Sequence, residues 1–207
     1  MRQLAPFGYN PSWSPDGKEV LCADEGISRP DDRQLAVSRI SAIEVASGRA
    51  RVVFPGDGVQ PRWSPHGQRI VYWAIDRSGF RDIWTVAAHG GQPVAVTHDQ
   101  HTDWNPIWSR DGRFIYFASD RGEDMNLWRV PVVEKSGRVV GPPEPVTVPG
   151  SYSGHLDLSA DGRQLAHAQL RFTVTLKRVR FDPFTDTVLT EPADVLPSAK
   201  QAVRPAV

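Results

Sequence analysis

The chain is predicted to be all-β and built from repeated four-stranded antiparallel units. Three observations lead there. A Trp-Ser-x-x-Gly turn recurs along the chain. Short β-branched and aromatic runs follow each copy. Gly and Pro, 17 and 18 of 207 residues, are spread along the chain rather than clustered, as many short strands with many turns require.

The turn appears as PSWSPDG ending at Gly17, PRWSPHG at Gly67, PIWSRDG at Gly112 and LDLSADG at Gly162, at intervals of 45 to 50 residues. The residues up to each Ser form strand A. The apolar run after each Gly (EVLCA, RIVYWA, FIYFAS, QLAHAQ) forms strand B. A third block, SAIEV, DIWTV, NLWRV and TLKRV, forms strand C. RARVVF, QPVAVT, EPVTV and EPADVL form strand D. The stretch Asp31 to Ser47 lacks Pro and Gly and reads as helical alone, but the alignment of Ala42–Val45 with Ile83–Val86 makes it strand C of the first unit.

Four-stranded units at this period are the pattern of propeller blades. The expected blades are 10–57, 58–100, 103–149 and 153–197 of a single propeller segment spanning 1–207, with residues 198–207 a disordered tail. One such sheet cannot bury both faces, so neighbours stack, and Trp13, Trp63, Trp108, Trp73, Trp84 and Trp128 supply apolar area for that. Within the turn, Gly17, Gly67, Gly112 and Gly162 take the position that favours φ > 0, and the preceding Asp or Ser bonds local backbone. Asp16 is replaced by His66 in the second copy and Pro15 by Arg110 and Ala160. The motif is therefore structural punctuation rather than a reactive site, with Trp13, Trp63 and Trp108 as wedges between blades.

The motif P-x-W-S-x-D-G, an apolar strand, S-D-R, I/L-W-x-V and P-V-x-V-T resembles the WD-like repeat of TolB-type β-propellers, most closely in PIWSRDGRFIYFASDRGEDMNLWRVPV. The resemblance covers residues 10 to about 196. It implies a protein- or peptide-binding propeller and a periplasmic setting. It equally fits the substrate-gating propeller of a prolyl-oligopeptidase-like hydrolase, or the sensor propeller of a kinase or transcriptional regulator. Such propellers usually have six blades, so the four units are read as an open arc of a longer parent, with self-association through the open end blades expected.

Composition narrows function. Lys plus Arg balances Asp plus Glu at 24 each, which disfavours a nucleic-acid surface. No run approaches 18 apolar residues, so membrane insertion is not expected. The N-terminal MRQLAPFGYN has no apolar core of a signal peptide, which leaves the compartment to the resemblance. Cys22, the one cysteine, reads as a buried inert thiol. GSYSG places Tyr152 where a nucleophile elbow needs Ser. No glycine-rich phosphate loop appears. The chain is read as non-enzymatic, with no cofactor.

Alternating strands put A–B and C–D turns at one end of the propeller and B–C and D–A loops at the other. The C–D turns, including EKSGRVVGPP and FDPFTDTVLT, read as tight polar connections. The partner is expected on the B–C/D–A loop face or in the central channel, and that end carries the expected contact residues: Asp76, Arg77, His98, His101, Asp103, Asp120, Arg121 and Asp124. Asp76-Arg77 and Asp120-Arg121 are within reach of pairing across neighbouring blades, but ordering of their own loops by side-chain hydrogen bonds is the favoured reading, with partner contact by the Arg residues second. His98 and His101 are a metal candidate, but an HxxH pair in a loop has no fixed geometry, and an exposed polar loop is the favoured reading.

Overall fold

The computed structural model describes residues 3–27, 29–31, 33, 37–122, 124–147, 152–170 and 175–195. The expected tail at 198–207 lies outside them. The described residues are strands, turns and loops, with no helix among them.

The first sheet orders β1 (Tyr9–Trp13), β2 (Glu19–Ala23), β3 (Ile40–Glu44) and β4 (Ala50–Phe54) side by side. The second orders β5 (Val59–Trp63), β6 (Arg69–Ile75), β7 (Arg81–Ala87) and β8 (Val94–Ala95). The third contains β9 (Asp103–Trp108), β10 (Phe114–Gly122) and β11 (Asp124–Val133). Beside β11 lie β12 (Arg138–Val139) and β13 (Glu144–Pro145). The strand pairs within these sheets are antiparallel. β14 (Tyr152–Leu158) pairs with β15 (Leu165–Leu170) as the A–B hairpin of the fourth repeat. The expected strand order A to D is thus observed in three complete sheets, with Ile40–Glu44, inside the stretch Asp31–Ser47, forming strand β3.

The chain divides into two compact units, residues 1–169 and 170–207. In the second, β16 (Lys177–Arg178) pairs with β19 (Ala193–Asp194), and β17 (Phe181–Asp182) pairs with β18 (Thr187–Val188).

The repeated turn forms because its side chains satisfy the backbone locally. Ser14, Ser109 and Ser159 donate to Asp16, Asp111 and Asp161 at 2.8, 2.6 and 2.6 Å. The same Ser oxygens accept the N–H five residues on, at 2.9 to 3.0 Å. The four motif glycines have φ between 68° and 70°, a left-handed conformation that disfavours any Cβ. In the second copy the turn is kept, but the His66 side chain points away from it: its Nδ1 lies 2.6 Å from Glu134 Oε2, just past the end of β11.

Two C–D connections are not tight turns. EKSGRVV folds back as β12 on the end of β11, and FDPFTDTV forms the β17–β18 hairpin. Their β-branched residues extend the ladder instead of ending it.

Sheets stack through side chains of alternate strand positions. Leu21, Ile40, Ala42 and Val53 of the first sheet meet Ile70, Tyr72 and Val86 of the second, with Trp63 packed against them. Val59, Trp73 and Ile83 of the second sheet share a core with Trp104, Trp108, Phe117 and Leu127 of the third, which continues to Leu156 and Leu158 of β14. Trp63 and Trp108 are the inter-blade wedges the motif implies. Trp13 is not: it is 62% exposed against 5% for Trp108. Its face of the first sheet has no neighbouring sheet among the described residues.

Candidate functional site

Two features the sequence reading missed fix the geometry of the B–C/D–A end. The first is a bulge near the start of strand A. Asn10, Gln60, Asn105 and His155 occupy equivalent positions, all with φ between 49° and 55°. Strand pairing slips at this point in the first three sheets. Asn105 uses the bend to accept the Leu156 N–H of β14 at 2.5 Å. Recurrence of Asn, a residue tolerant of φ > 0, before Pro11 and Pro106 was the available signal.

The second feature is the threonine ending strand D. Thr97 Oγ1 accepts the Ile83 N–H at 2.9 Å, and Thr147 Oγ1 accepts the Leu127 N–H at 3.1 Å. These hydroxyls continue the ladder where the backbone turns away. Thr97 also donates to Asp82 Oδ1 at 3.0 Å, and the Asp99 N–H donates to the same oxygen at 3.3 Å. Asp82, fully buried, thereby ties β7 to the loop leading to β9.

Around this anchor, the expected surface residues separate into two groups. Asp103 is fully buried, and the Arg121 side chain is 9% exposed. Arg121 Nη2 lies 2.5 Å from Asp103 Oδ2 and 3.2 Å from Asp99 Oδ2. Its Nε donates to Ser119 Oγ at 2.8 Å, and the guanidinium sits over the rings of Phe117 and Trp128. Burial pushes the Asp103 carboxyl up, and the Arg121 charge pulls it back. Asp103 Oδ1 accepts no hydrogen bond of normal geometry, although the Ser119 and Thr97 hydroxyls stand close enough to favour its charged form. Both side chains serve the inside of the propeller, so the expectation that they face a partner is corrected by their burial.

Asp76, Arg77, His98, His101, Asp120 and Asp124 remain at the surface in whole or part. Asp76 Oδ1 caps its own loop, accepting the Ser78 and Phe80 N–H groups at 2.8 and 2.9 Å. Asp120 Oδ1 accepts the Thr102 N–H at 2.9 Å and lies 3.3 Å from His101 Nδ1. The two carboxylates thus order their loops, as expected, and do not pair across blades. Each carboxylate satisfies nearby loop groups, and Arg121 turns inward.

His98 and His101 do not face a common point. His101 turns to Asp120, while His98 Nδ1 lies 3.8 Å from Asp82 Oδ2. Among the described residues, two sets of side chains bring three potential ligand atoms within 4.8 Å of one another: Asp76, Asp82 and His98, and Asp82, Asp99 and Asp103. Burial raises the Asp82 carboxyl, with Thr97, the Asp99 N–H and His98 opposing.

A second buried ion cluster links the first two sheets. Arg33, from the insertion before β3, grips Asp57 with both terminal nitrogens, at 2.9 and 2.5 Å. Its Nε donates to Glu25 at 2.7 Å. Asp57 also accepts the Ser38 and Ile75 N–H groups, at 3.0 and 3.1 Å. The insertion is thus fastened to the neighbouring sheet.

A family model described as the TolB beta propeller domain matches residues 5–198. The chain belongs to this family. Among curated relatives, Tol-Pal system protein TolB of Anaeromyxobacter dehalogenans is 31% identical over 48% of this chain and 21% of its own length. Dipeptidyl-peptidase 5 of Porphyromonas gingivalis is 26% identical over 62% of this chain and 20% of its own length. A protein of Agrobacterium fabrum, Atu1656, is 29% identical over 59% of this chain and 54% of its own. The chain thus spans from a fifth to about half the length of these relatives. Among solved structures, a putative TolB from Agrobacterium tumefaciens superposes with a TM-score of 0.64 at 24% identity, covering 88% of this chain and 63% of that one. A puromycin-hydrolyzing peptidase of Mycobacterium tuberculosis gives 0.53 at 23% identity, covering 86% and 30%. At these identities the superpositions establish the TolB-like propeller fold, while the relatives' activities differ.

Proposed function

We propose that this TolB-like propeller is a non-catalytic interaction module that binds a protein or peptide through its B–C/D–A loops. The observation that carries the reading is the pre-ordering of that end. Polar side chains at the surface stand on loops already capped by Asp76, Asp120 and Asp99. Loops on a rigid scaffold lose little freedom when a partner docks. A likeness to proteins named TolB supports a protein partner and a periplasmic setting. Capture of a partner from a periplasmic fraction by the immobilised chain tests this, using Arg77→Ala, His101→Ala and Asp124→Ala. Weakened capture with unchanged melting temperature is expected, and unchanged capture by all three removes the site from this face.

A second reading, a substrate-gating propeller beside a hydrolase domain, is favoured by the matches to two peptidases. Flanking gene sequence encoding a G-x-S-x-G α/β domain would select it over the first.

A further inference from the structure

We propose that Asp76, Asp82 and His98 form a site for a divalent first-row transition ion such as zinc, at the mouth between the second and third sheets. The inference rests on a division of labour in one carboxylate. Asp82 is fully buried. Its Oδ1 is held by Thr97 Oγ1 and the Asp99 N–H. Its Oδ2 is buried with no hydrogen-bond partner. Leaving a buried carboxylate oxygen unpaired is costly. One oxygen fixed by outer hydrogen bonds and the other left open is how proteins orient a metal-ligating carboxylate.

The open oxygen faces a suitable second donor. His98 Nδ1 stands 3.8 Å from Asp82 Oδ2, too far for a hydrogen bond. Zinc–nitrogen and zinc–oxygen distances of about 2.0 to 2.2 Å place neighbouring ligands roughly 3 to 3.5 Å apart. Closing the gap takes a few tenths of an ångström from His98, whose side chain is 75% exposed and free to move. Asp76 supplies the third donor within 4.8 Å. Its Oδ1 is held by the Ser78 and Phe80 N–H groups, repeating the Asp82 arrangement. A mixed nitrogen and oxygen set selects a transition ion over calcium or magnesium, and the exposure of His98 leaves a coordination position for water. The neighbouring set of Asp82, Asp99 and Asp103 is a poorer host because Arg121 already lies against Asp99 and Asp103.

Isothermal titration of the chelator-treated full chain with zinc chloride, and absorption spectra with cobalt(II), provide the test. One saturable ion per chain is expected, with cobalt bands of a nitrogen- and oxygen-ligated centre. His98→Ala and Asp76→Asn, both surface changes, should each weaken binding at least tenfold, while His101→Ala leaves it unchanged. Melting curves establish that the variants are folded. Absence of saturable binding, or loss through His101→Ala but not His98→Ala, overturns the assignment. So does calcium binding at least as tightly as zinc and indifferent to His98.

Discussion

Arg121, near the end of β10, donates across 2.5 Å to Asp103 at the start of β9, with the Asp99 carboxylate 3.2 Å from the same nitrogen. A buried pair is weak evidence of net stabilisation, but breaking one leaves an uncompensated charge. Arg121→Ala is therefore expected to destabilise the chain by about 3 to 5 kcal/mol. Combined with Asp103→Leu, the loss should be smaller than the sum of the two single losses. Urea denaturation of the four species in a double-mutant cycle measures the coupling, and additivity would show that the two side chains act independently.

Equivalent tryptophans should differ sharply. Trp108 is buried in the core shared by the second and third sheets, whereas Trp13 is mostly exposed. Trp108→Ala should cost about 3 to 5 kcal/mol through lost burial and the cavity left behind. Trp13→Ala should stay within about 0.5 kcal/mol. Chemical denaturation monitored by circular dichroism compares them without relying on tryptophan fluorescence.

Gly137 and Gly17 separate backbone strain from packing. Their φ values are 72° and 70°. A Cβ on Gly17 meets open space, while one on Gly137 collides with Thr85 Oγ1 and the Arg69 guanidinium. Arg69 is itself fixed on Thr85, donating to its Oγ1 and carbonyl oxygen at 3.1 Å each. Gly17→Ala should cost about 1 kcal/mol from the left-handed backbone alone. Gly137→Ala should cost about 1 to 3 kcal/mol more, read as the difference in melting temperature between the two variants.

The repeated turn carries an acid-sensitive group. Ser109 and Arg113 hold the Asp111 carboxyl down at about 2, against an ordinary 3.8. Because the folded value is depressed, its stabilisation is complete above about pH 4 and is lost as pH falls toward 2. Asp111→Asn should lower the melting temperature slightly at pH 7, since the carboxylate is 45% exposed and screened. The gap between variant and parent should close between pH 4 and pH 2 in thermal melts. A gap independent of pH would mean the carboxylate charge is not the stabilising element.

Most of the architecture was legible in the chain because the repeat announces itself. One copy of PSWSPDG is ambiguous between chemistry and turn. Four copies with a replaceable Asp and an invariant Gly describe a local hydrogen-bond pattern, and Ser14, Asp16 and Gly17 form it. The site was less legible. Asp103 and Arg121 looked like exposed loop charges, yet they meet each other inside. Asp82 belonged to a strand block and drew no attention, although its carboxylate organises the loop from Thr97 to Asp99. Charge in a sequence marks the residue type, not whether a neighbouring sheet will cover it.

The sequence by itself determined the local rules: strand periodicity, the left-handed glycine after each Ser, and the ordering of A to D within a unit. These depend on residues a few positions apart, so the chain encodes them directly. The tertiary structure decided what stacking imposes. It buried Trp108 and left Trp13 in solvent. It turned His98 toward Asp82 and His101 toward Asp120, although only two residues separate them. These outcomes depend on which sheet lies against which, through contacts between residues tens of positions apart, and only the folded chain brings those residues together.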